Sequence, residues 1–243
     1  MKAVILAAGM GKRIRDHHTL PKGFIRLGDE SIVMESLRCL KQHGITEILV
    51  VTGYGEEHYD ALAKQTGLFV TAKNAAYATS GSLYSLYCAR EWIDEDCLVL
   101  ESDLLYEARA LPAVMDEPHA NVILLSGATH SRDEIYVEVR DRCLVNMSKN
   151  LQALLQTHVE GEFVGINKLS LTAYRDWMQQ LEENPTLLQS GNYEEDGLVF
   201  LAKTHPVICL KMPDLLWCEI DDVIHWRRAK DIYQKIHTVN RVS

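Results

Sequence analysis

Residues 2–13 read KAVILAAGMGKR, and this segment determines the fold of the chain. Its first part, Lys2–Ala8, is almost wholly apolar, which is typical of a parallel strand buried on both faces. Gly9 and Gly11 follow at once, and glycine lets the backbone approach an anion with its N–H groups pointing at it. The segment therefore predicts a buried first strand that ends in an anion-binding loop.

Three cations stand close to this loop in the sequence. Lys12 and Arg13 end the segment, and Lys22 follows in a Pro-Lys pair. Their charged donors can strengthen the binding of phosphate oxygens. The spacing is neither that of a Walker loop nor Gly-x-Gly-x-x-Gly, because Ile14 stands at the third glycine position. The loop is thus predicted to bind phosphate without being a dinucleotide-binding turn.

Apolar runs and helical patterns alternate along the first half of the chain, which favours a mostly parallel, Rossmann-like α/β sheet flanked by helices. Strands are predicted over residues 2–8, 47–52, 68–72, 97–101, 121–126, 135–140, 143–147, 162–168, 207–211 and 217–219. Helices are predicted over 31–43, 57–64, 82–92, 171–181 and 223–236. Ligands of such sheets bind at the carboxyl ends of the strands, where the glycine loop lies.

Composition excludes several classes of protein. The 243 residues are 47% hydrophobic and suffice for one domain, and the net charge of −9 argues against nucleic-acid or anionic-membrane partners. Apolar runs stay well below the roughly 20 residues that span a bilayer. The six cysteines are scattered without a CxxC pair, which is typical of buried thiols in a reducing compartment. We therefore expect a cytoplasmic protein.

The segment LAAGMGKR followed by Pro-Lys resembles the signature of the nucleotidyltransferases that activate sugar phosphates and small phosphorylated alcohols. The matching residues are Leu6, Ala7, Ala8, Gly9, Gly11, Arg13, Pro21 and Lys22. Further family-like strings follow in order: ITEILVVTGY (45–54), SGSLYSLYCARE (80–91), LESDLLYE (100–107), NMSKN (146–150), NYEEDGL (192–198) and WCEIDDVIHWRRA (217–229). The later strings are most similar to the branch of the family that transfers CMP to 2-aminoethylphosphonate.

The resemblance implies a fold of the nucleotide-diphospho-sugar transferase type and a Mg²⁺-dependent reaction. A phosphonate oxygen of the acceptor would attack the α-phosphorus of CTP in line, and pyrophosphate would leave. Positioning and charge neutralisation dominate such transfers. Lys22, Arg13 and Asp103 are the expected catalytic residues, with Lys22 bridging the α-phosphate and the acceptor and Arg13 on the β- and γ-phosphates.

Three acidic residues are the predicted Mg²⁺ ligands. Asp103 follows the strand over 97–101, at the ligand edge of the sheet. Glu219 and Asp221 are two residues apart on a late strand, and the period of two places their side chains on one face. Asp222 points to the opposite face and is left out. Carboxylate oxygens suit Mg²⁺.

The nucleotide and the acceptor need further contacts. The predicted nucleotide-binding residues are Leu6, Ala7, Ala8, Gly9, Gly11, Lys12, Arg13, Lys22, Ser80, Gly81 and Ser82. The alternative for Ser80 and Ser82 is capping of the helix that follows. The predicted acceptor-binding residues are Tyr106, Tyr193, Glu195, Asp196 and Trp217. Acidic partners favour a primary amine, whereas a choline group would favour an aromatic cage.

The sequence thus predicts a single nucleotidyltransferase domain over 1–243, in which 1–130 bind the nucleotide and 131–243 bind the acceptor and complete the metal site. The expected partners are CTP and a small amine-bearing phosphonate or phosphate, and a homodimer is one assembly that the sequence allows. Three alternatives stay open: a phosphocholine cytidylyltransferase, a sugar-phosphate nucleotidyltransferase using UTP or GTP, and a nucleotide-binding sensor without turnover.

Overall fold

The apolar N-terminal segment forms the first strand of a large sheet. In a computed structural model, which describes residues 1–188 and 193–239, strand β1 covers Lys2–Ala7 and all of its residues are buried. The other strands are β2 (Ile48–Thr52), β3 (Val70–Lys73), β4 (Cys97–Glu101), β5 (Leu104–Tyr106), β6 (Val122–Ser126), β7 (Tyr136–Arg140), β8 (Cys143–Ser148), β9 (Val159–Leu169), β10 (Ile208–Met212) and β11 (Trp217–Glu219).

Seven α-helices accompany these strands in the described part of the chain. They are α1 (Ile32–Gln42), α2 (Glu56–Thr66), α3 (Ser82–Cys88), α4 (Ala110–Asp116), α5 (Leu171–Glu183), α6 (Glu194–Leu201) and α7 (Val223–Val239). Short 3₁₀ turns occur at Lys22–Phe24, Leu151–Ala153, Gln156–His158 and Pro185–Leu188. Helix α1 shows why such segments form: Ile32, Val33, Leu37 and Leu40 recur at helical spacing and are all buried.

Nine strands form one sheet in the order β3-β2-β1-β4-β9-β6-β10-β8-β7. The pairs β3–β2, β2–β1, β1–β4 and β6–β10 are parallel. Strand β9 lies antiparallel between β4 and β6, and β7 and β8 form the predicted antiparallel hairpin. Residues of both halves of the chain therefore share one sheet, and the α/β class predicted from the sequence is confirmed.

A second, small sheet lies at the carboxyl end of β4. It consists of β5 and β11, which pair antiparallel with Glu219 opposite Leu104. Each predicted strand and helix is present, with ends that differ by a few residues. Helices α4 and α6 and strand β5 were not predicted. The charged residues at the start of α6 were interpreted as acceptor-binding residues rather than as part of a helix. Helix α4 and strand β5 are short.

Two further expectations can be compared with the structure. Among the residues that the structure describes, no helix is long and apolar enough to cross a membrane. All six cysteines are free; Cys97, Cys209 and Cys218 are buried, and the other three are partly exposed. The thiols thus pack as small apolar side chains rather than as a disulfide framework.

Candidate active site

The glycine loop after β1 lies beside the aliphatic stem of Lys22. Gly11 has a φ of +57°, and a Cβ at this position would lie 3.2 Å from Lys22 Cγ. Glycine therefore meets two requirements here, the left-handed backbone and the close passage of the lysine side chain. As a result, the loop and Lys22 form one unit.

The turn that carries Lys22 is packed against a buried tyrosine. A Cβ on Gly23 would lie 2.7 Å from the Tyr59 hydroxyl and 3.3 Å from the carbonyl oxygen of Ser102. Tyr59 is fully buried on α2, and Ser102 follows β4. The absence of a side chain at Gly23 thus brings the Lys22 turn against the end of β4.

Two aspartates hold the ammonium of Lys22. Its Nζ contacts the carboxylate of Asp103 and donates a hydrogen bond of 2.8 Å to Asp221 Oδ1. Burial alone would lower the pKa of Lys22, but the charges of Asp103 and Asp221 outweigh it and hold that pKa well above its ordinary value. Lys22 is therefore a charged ammonium at neutral pH.

Arg13 links the glycine loop to two more parts of the chain. Its Nη2 lies 2.8 Å from Asp221 Oδ2, and its Nη1 donates a 2.8 Å hydrogen bond to Asp133 Oδ2. The other oxygen of Asp133 accepts a 2.6 Å hydrogen bond from Lys149 Nζ. Asp133 thus bridges a cation of the glycine loop and a cation that follows β8. The sequence analysis assigned no role to Asp133 or Lys149.

Three carboxylates converge beside Lys22. Oxygen atoms of Glu101, Asp103 and Glu219 lie within 4.8 Å of one another. Burial, followed by the charges of neighbouring acids, raises the pKa values of Glu101 and Glu219 well above their ordinary range. Such crowding of acids without enough compensating charge is typical of a site that receives a cation.

This cluster contains two of the three predicted metal ligands. Asp103 and Glu219 belong to it, but the third carboxylate is Glu101, while Asp221 forms ion pairs with Lys22 and Arg13. Glu101 could have been found from the sequence, because it is two residues before Asp103 at the end of β4. Asp222 is turned away as predicted and caps α7 through Ile224 N and His225 N.

The small sheet explains why distant acids meet. Strand β11 pairs with β5, and the N–H of Ile220 donates a 3.0 Å hydrogen bond to the carbonyl oxygen of Asp103. Residues on either side of Ile220 are therefore placed beside Asp103. Glu219 and Asp221 both line the same cavity as Asp103.

The predicted base-binding turn forms a hydrogen-bond network. Asn74 Nδ2 donates to the hydroxyl oxygens of Ser80 and Ser85, each at 3.0 Å. The hydroxyl of Ser82 accepts a 2.7 Å hydrogen bond from Glu194 N, at the start of α6. Helix α3 is capped by Gly81 without a side-chain bond, so the capping alternative for these serines is not what the structure contains.

The predicted acceptor residues separate into two groups. Tyr193, Glu195 and Asp196 line the cavity, and Asn192 of the same string lies outside the described residues. Asp196 Oδ2 accepts a 3.1 Å hydrogen bond from Tyr193 N and so caps α6. Of the two acidic residues in this group, Asp196 caps the helix and Glu195 does not.

Tyr106 and Trp217 lie outside the cavity that the other predicted acceptor residues line. They face each other across β5 and β11 and pack in the apolar cluster that contains the buried face of α1. Burial raises the pKa of the Tyr106 hydroxyl, near Cys39 and Ser36. Neither side chain lines the main cavity, because α1 covers their face of the small sheet.

One cavity of about 840 Å³ collects the remaining predicted residues at the carboxyl ends of β1 and β4. Those that line it are Leu6, Ala7, Ala8, Gly9, Gly11, Lys12, Arg13, Lys22, Ser80, Gly81, Ser82, Asp103, Tyr193, Glu195, Asp196, Glu219 and Asp221. Its volume is within the range of small-molecule sites. Asn74, Tyr77, Glu101 and Lys149 also line it and were not assigned from the sequence.

The chain belongs to the family of MobA-like NTP transferase domains, whose model matches residues 3–235. Its fold is also similar to that of a solved structure of the inositol-1-phosphate CTP transferase from T. maritima, with a TM-score of 0.81 and 19% sequence identity over 97% of this chain and 95% of that one.

Two curated relatives share parts of the sequence. The choline-phosphate cytidylyltransferase of Streptococcus pneumoniae is 31% identical over 44% of this chain and 47% of its own length. The CMP-5'-(3-aminopropyl)phosphonate synthase of Streptomyces rubellomurinus is 29% identical over 52% of this chain and 21% of its own length. The chain thus spans about half or less of the length of these two relatives.

Proposed function

We propose that this chain transfers CMP from CTP to 2-aminoethylphosphonate, with release of pyrophosphate. The observation that carries the proposal is a single cavity lined by the glycine loop and its cations, by the carboxylates of Asp103 and Glu219, and by Glu195. A triphosphate, a divalent cation and an ammonium group each have a complementary partner in that set.

The nucleotide is assigned to the loop side of the cavity. Backbone N–H groups of the glycine loop and the guanidinium of Arg13 match the oxygens of the β- and γ-phosphates, since the planar fork of arginine suits phosphate. Lys22 lies between the loop and the acids, where its ammonium can reach the α-phosphate. The turn around Ser80 and Ser82 offers hydroxyl and backbone groups for the edge of cytosine.

The acidic cluster fits Mg²⁺ by its donor set, because Mg²⁺ prefers carboxylate oxygens together with phosphate oxygens and water. Glu101, Asp103 and Glu219 would hold the ion, which would neutralise phosphate charge and orient the α-phosphoryl group. The residues of the chain then position the acceptor oxygen for in-line attack, and Lys22 stabilises the charge that develops.

The acceptor is assigned to Glu195 and Lys149. Burial raises the pKa of Glu195, and Asp196 adds to this, whereas the nearby ammonium of Lys149 lowers it. An ammonium group of the acceptor beside Glu195 would compensate the buried carboxylate. Lys149, which lines the same cavity, supplies a cation for the phosphonate.

The names of the two curated relatives support CTP and suggest two candidate acceptors. One has a name that joins CMP to an aminoalkyl phosphonate, and another has a name that gives choline phosphate as its substrate. Phosphocholine is therefore the second candidate. The carboxylate of Glu195 favours the primary amine, since two of the predicted aromatic residues, Tyr106 and Trp217, lie outside the cavity.

The proposal is tested by pyrophosphate release with CTP, UTP, GTP or ATP against 2-aminoethylphosphonate, phosphocholine and glucose 1-phosphate. We expect turnover with CTP and 2-aminoethylphosphonate, and Lys22→Ala should lower it by roughly two to three orders of magnitude. Release only with UTP or GTP would contradict the use of CTP. Release with no pair of substrates would instead support a sensor.

A variant of Glu195 tests the acceptor separately. Glu195→Gln should raise KM for 2-aminoethylphosphonate by about tenfold, the loss of one charge-assisted contact, with KM for CTP unchanged. The matched control is Glu160→Gln, because Glu160 is exposed and does not line the cavity. An equal loss in both variants, or a rise in KM for CTP alone, would remove Glu195 from the acceptor site.

A further inference from the structure

Lys22 lies against one of the carboxylates that would hold the metal. Its Nζ contacts Asp103, one of the three clustered carboxylates, and at the same time donates to Asp221. The side chain is largely buried, with 16% of its surface exposed. The ammonium thus neutralises the carboxylate that the acidic cluster shares with it.

We propose that Lys22 and the divalent cation compete for Asp103, so that the nucleotide-free site excludes the metal until the triphosphate draws the ammonium away. The proposal rests on the proposed function, since it takes the ligand of the glycine loop to be a triphosphate. It assigns Lys22 a second role, as an internal cation that occupies the site before the substrates bind.

Geometry supports the competition. An ammonium that contacts Asp103 and a divalent ion held by the same carboxylate would be separated by only a few ångströms, and two cations at that distance repel each other. Oxygen atoms of the three carboxylates lie within 4.8 Å of one another, so an ion held among them would also be close to Lys22 Nζ, which contacts Asp103. Asp221, which also pairs with Arg13, holds Lys22 in this position.

The Lys22 side chain also lies where its ammonium can move from the aspartates toward the glycine loop. Its stem passes the glycine loop, with Cγ 3.2 Å from the position that a Cβ of Gly11 would take. Rotation of the last bonds of the lysine side chain suffices to move the ammonium from the aspartates toward a phosphate bound in the loop. Because binding linkage is reciprocal, a triphosphate that attracts Lys22 must raise the affinity of the acids for the metal.

The test measures Mn²⁺ binding to the nucleotide-free protein, from the electron paramagnetic resonance signal of free Mn²⁺ at fixed pH and ionic strength. Lys22→Met keeps the aliphatic stem and removes the ammonium. We expect its Kd for Mn²⁺ to be at least about tenfold lower than that of the unaltered protein, since a repelling charge is removed from the site. Lys22→Met/Asp103→Asn should lose this gain.

Lys149→Met is the matched control. Lys149 lines the same cavity and pairs with Asp133, so its removal changes the charge of the cavity equally without freeing Asp103. An equal gain in this variant, or a Kd of Lys22→Met equal to that of the unaltered protein, would overturn the proposal. Lys22→Gln is the second variant if Lys22→Met fails to fold.

The outcome is independent of turnover. Mn²⁺ binding is measured without nucleotide or acceptor, so a negative result removes the competition and leaves pyrophosphate release from CTP as the test of the proposed function. Conversely, tight binding of Mn²⁺ to Lys22→Met, together with no cytidylyl transfer by the unaltered protein, would retain the competition and reject the reaction.

Discussion

Replacement of Glu194 by glutamine is expected to stabilise the protein at neutral pH. Glu194 lies at the first turn of α6 and is 1% exposed. Its Oε1 accepts a hydrogen bond from Asn167 Nδ2, but among the residues that the structure describes its buried Oε2 and Asn167 Oδ1 have no hydrogen-bond partner. A protonated Glu194, or a glutamine, can donate to that unpaired oxygen of Asn167, whereas a carboxylate cannot.

The magnitude follows from the pKa of Glu194. Burial, followed by the charge of Glu195, raises this pKa from 4.5 to about 8, while the hydrogen bond from Asn167 opposes the rise. The folded protein therefore binds more protons than the unfolded chain between these values, and the free energy of unfolding falls as pH increases through this window. At about 1.4 kcal/mol per pH unit, the penalty relative to acidic pH reaches up to about 3 kcal/mol at pH 7.

The measurement is urea unfolding of the wild-type protein and of Glu194→Gln at pH 5 and pH 7. The free energy of unfolding of the variant should exceed that of the wild type by less than about 1 kcal/mol at pH 5 and by up to about 3 kcal/mol at pH 7. Buried acids that do not interact with Glu194 titrate alike in both proteins and cancel in the difference. Glu160→Gln, an exposed substitution, should follow the wild type at both values. Parallel pH profiles for Glu194→Gln and the wild type would refute this explanation.

Three more outcomes follow from the site. Gly23→Ala should lower the free energy of unfolding by about 1–3 kcal/mol, because its Cβ would lie 2.7 Å from the Tyr59 hydroxyl. Gly9→Ala is the control: its Cβ would meet no atom of the described residues within 4 Å, so thermal unfolding should be unchanged. Glu101→Gln should raise the Mg²⁺ concentration for half-maximal turnover by about tenfold or more, and an unchanged requirement would exclude it as a ligand. Tyr106→Phe should leave KM for the acceptor unchanged, and a rise would return this residue to the acceptor site.

Much of the fold could be predicted from the sequence because the signals are local. The apolar run of β1 and the helical spacing of α1 each specify an element without knowledge of the rest of the chain. The placement of β9 could not be obtained in this way. It pairs antiparallel with both β4 and β6, and strand pairing depends on contacts between residues far apart in the sequence.

The candidate site could likewise be predicted only where the signal is local. Asp103 and Glu219 were predicted together because each follows or ends a strand, and the structure brings their oxygens together. Spacing along a strand indicates which side chains share a face, but not which element covers that face. For this reason Tyr106 and Trp217 were assigned to the acceptor, although α1 packs over them. The position of Lys149 in the site depends on the path of the loop after β8, which no local sequence pattern specifies.

The two main cations of the site differ in how they can meet a phosphate. Arg13 carries five N–H donors on three nitrogens; Nη1 donates to Asp133 and Nη2 pairs with Asp221, so donors are left to bind phosphate while it stays between its carboxylates. Lys22 has its three donors on one nitrogen, and two of them are directed at Asp103 and Asp221, so a phosphate that engages this nitrogen fully draws it away from both aspartates. Phosphate binding at Lys22 therefore frees two carboxylates, whereas phosphate binding at Arg13 frees none. This difference is why metal entry is coupled to the lysine and not to the arginine.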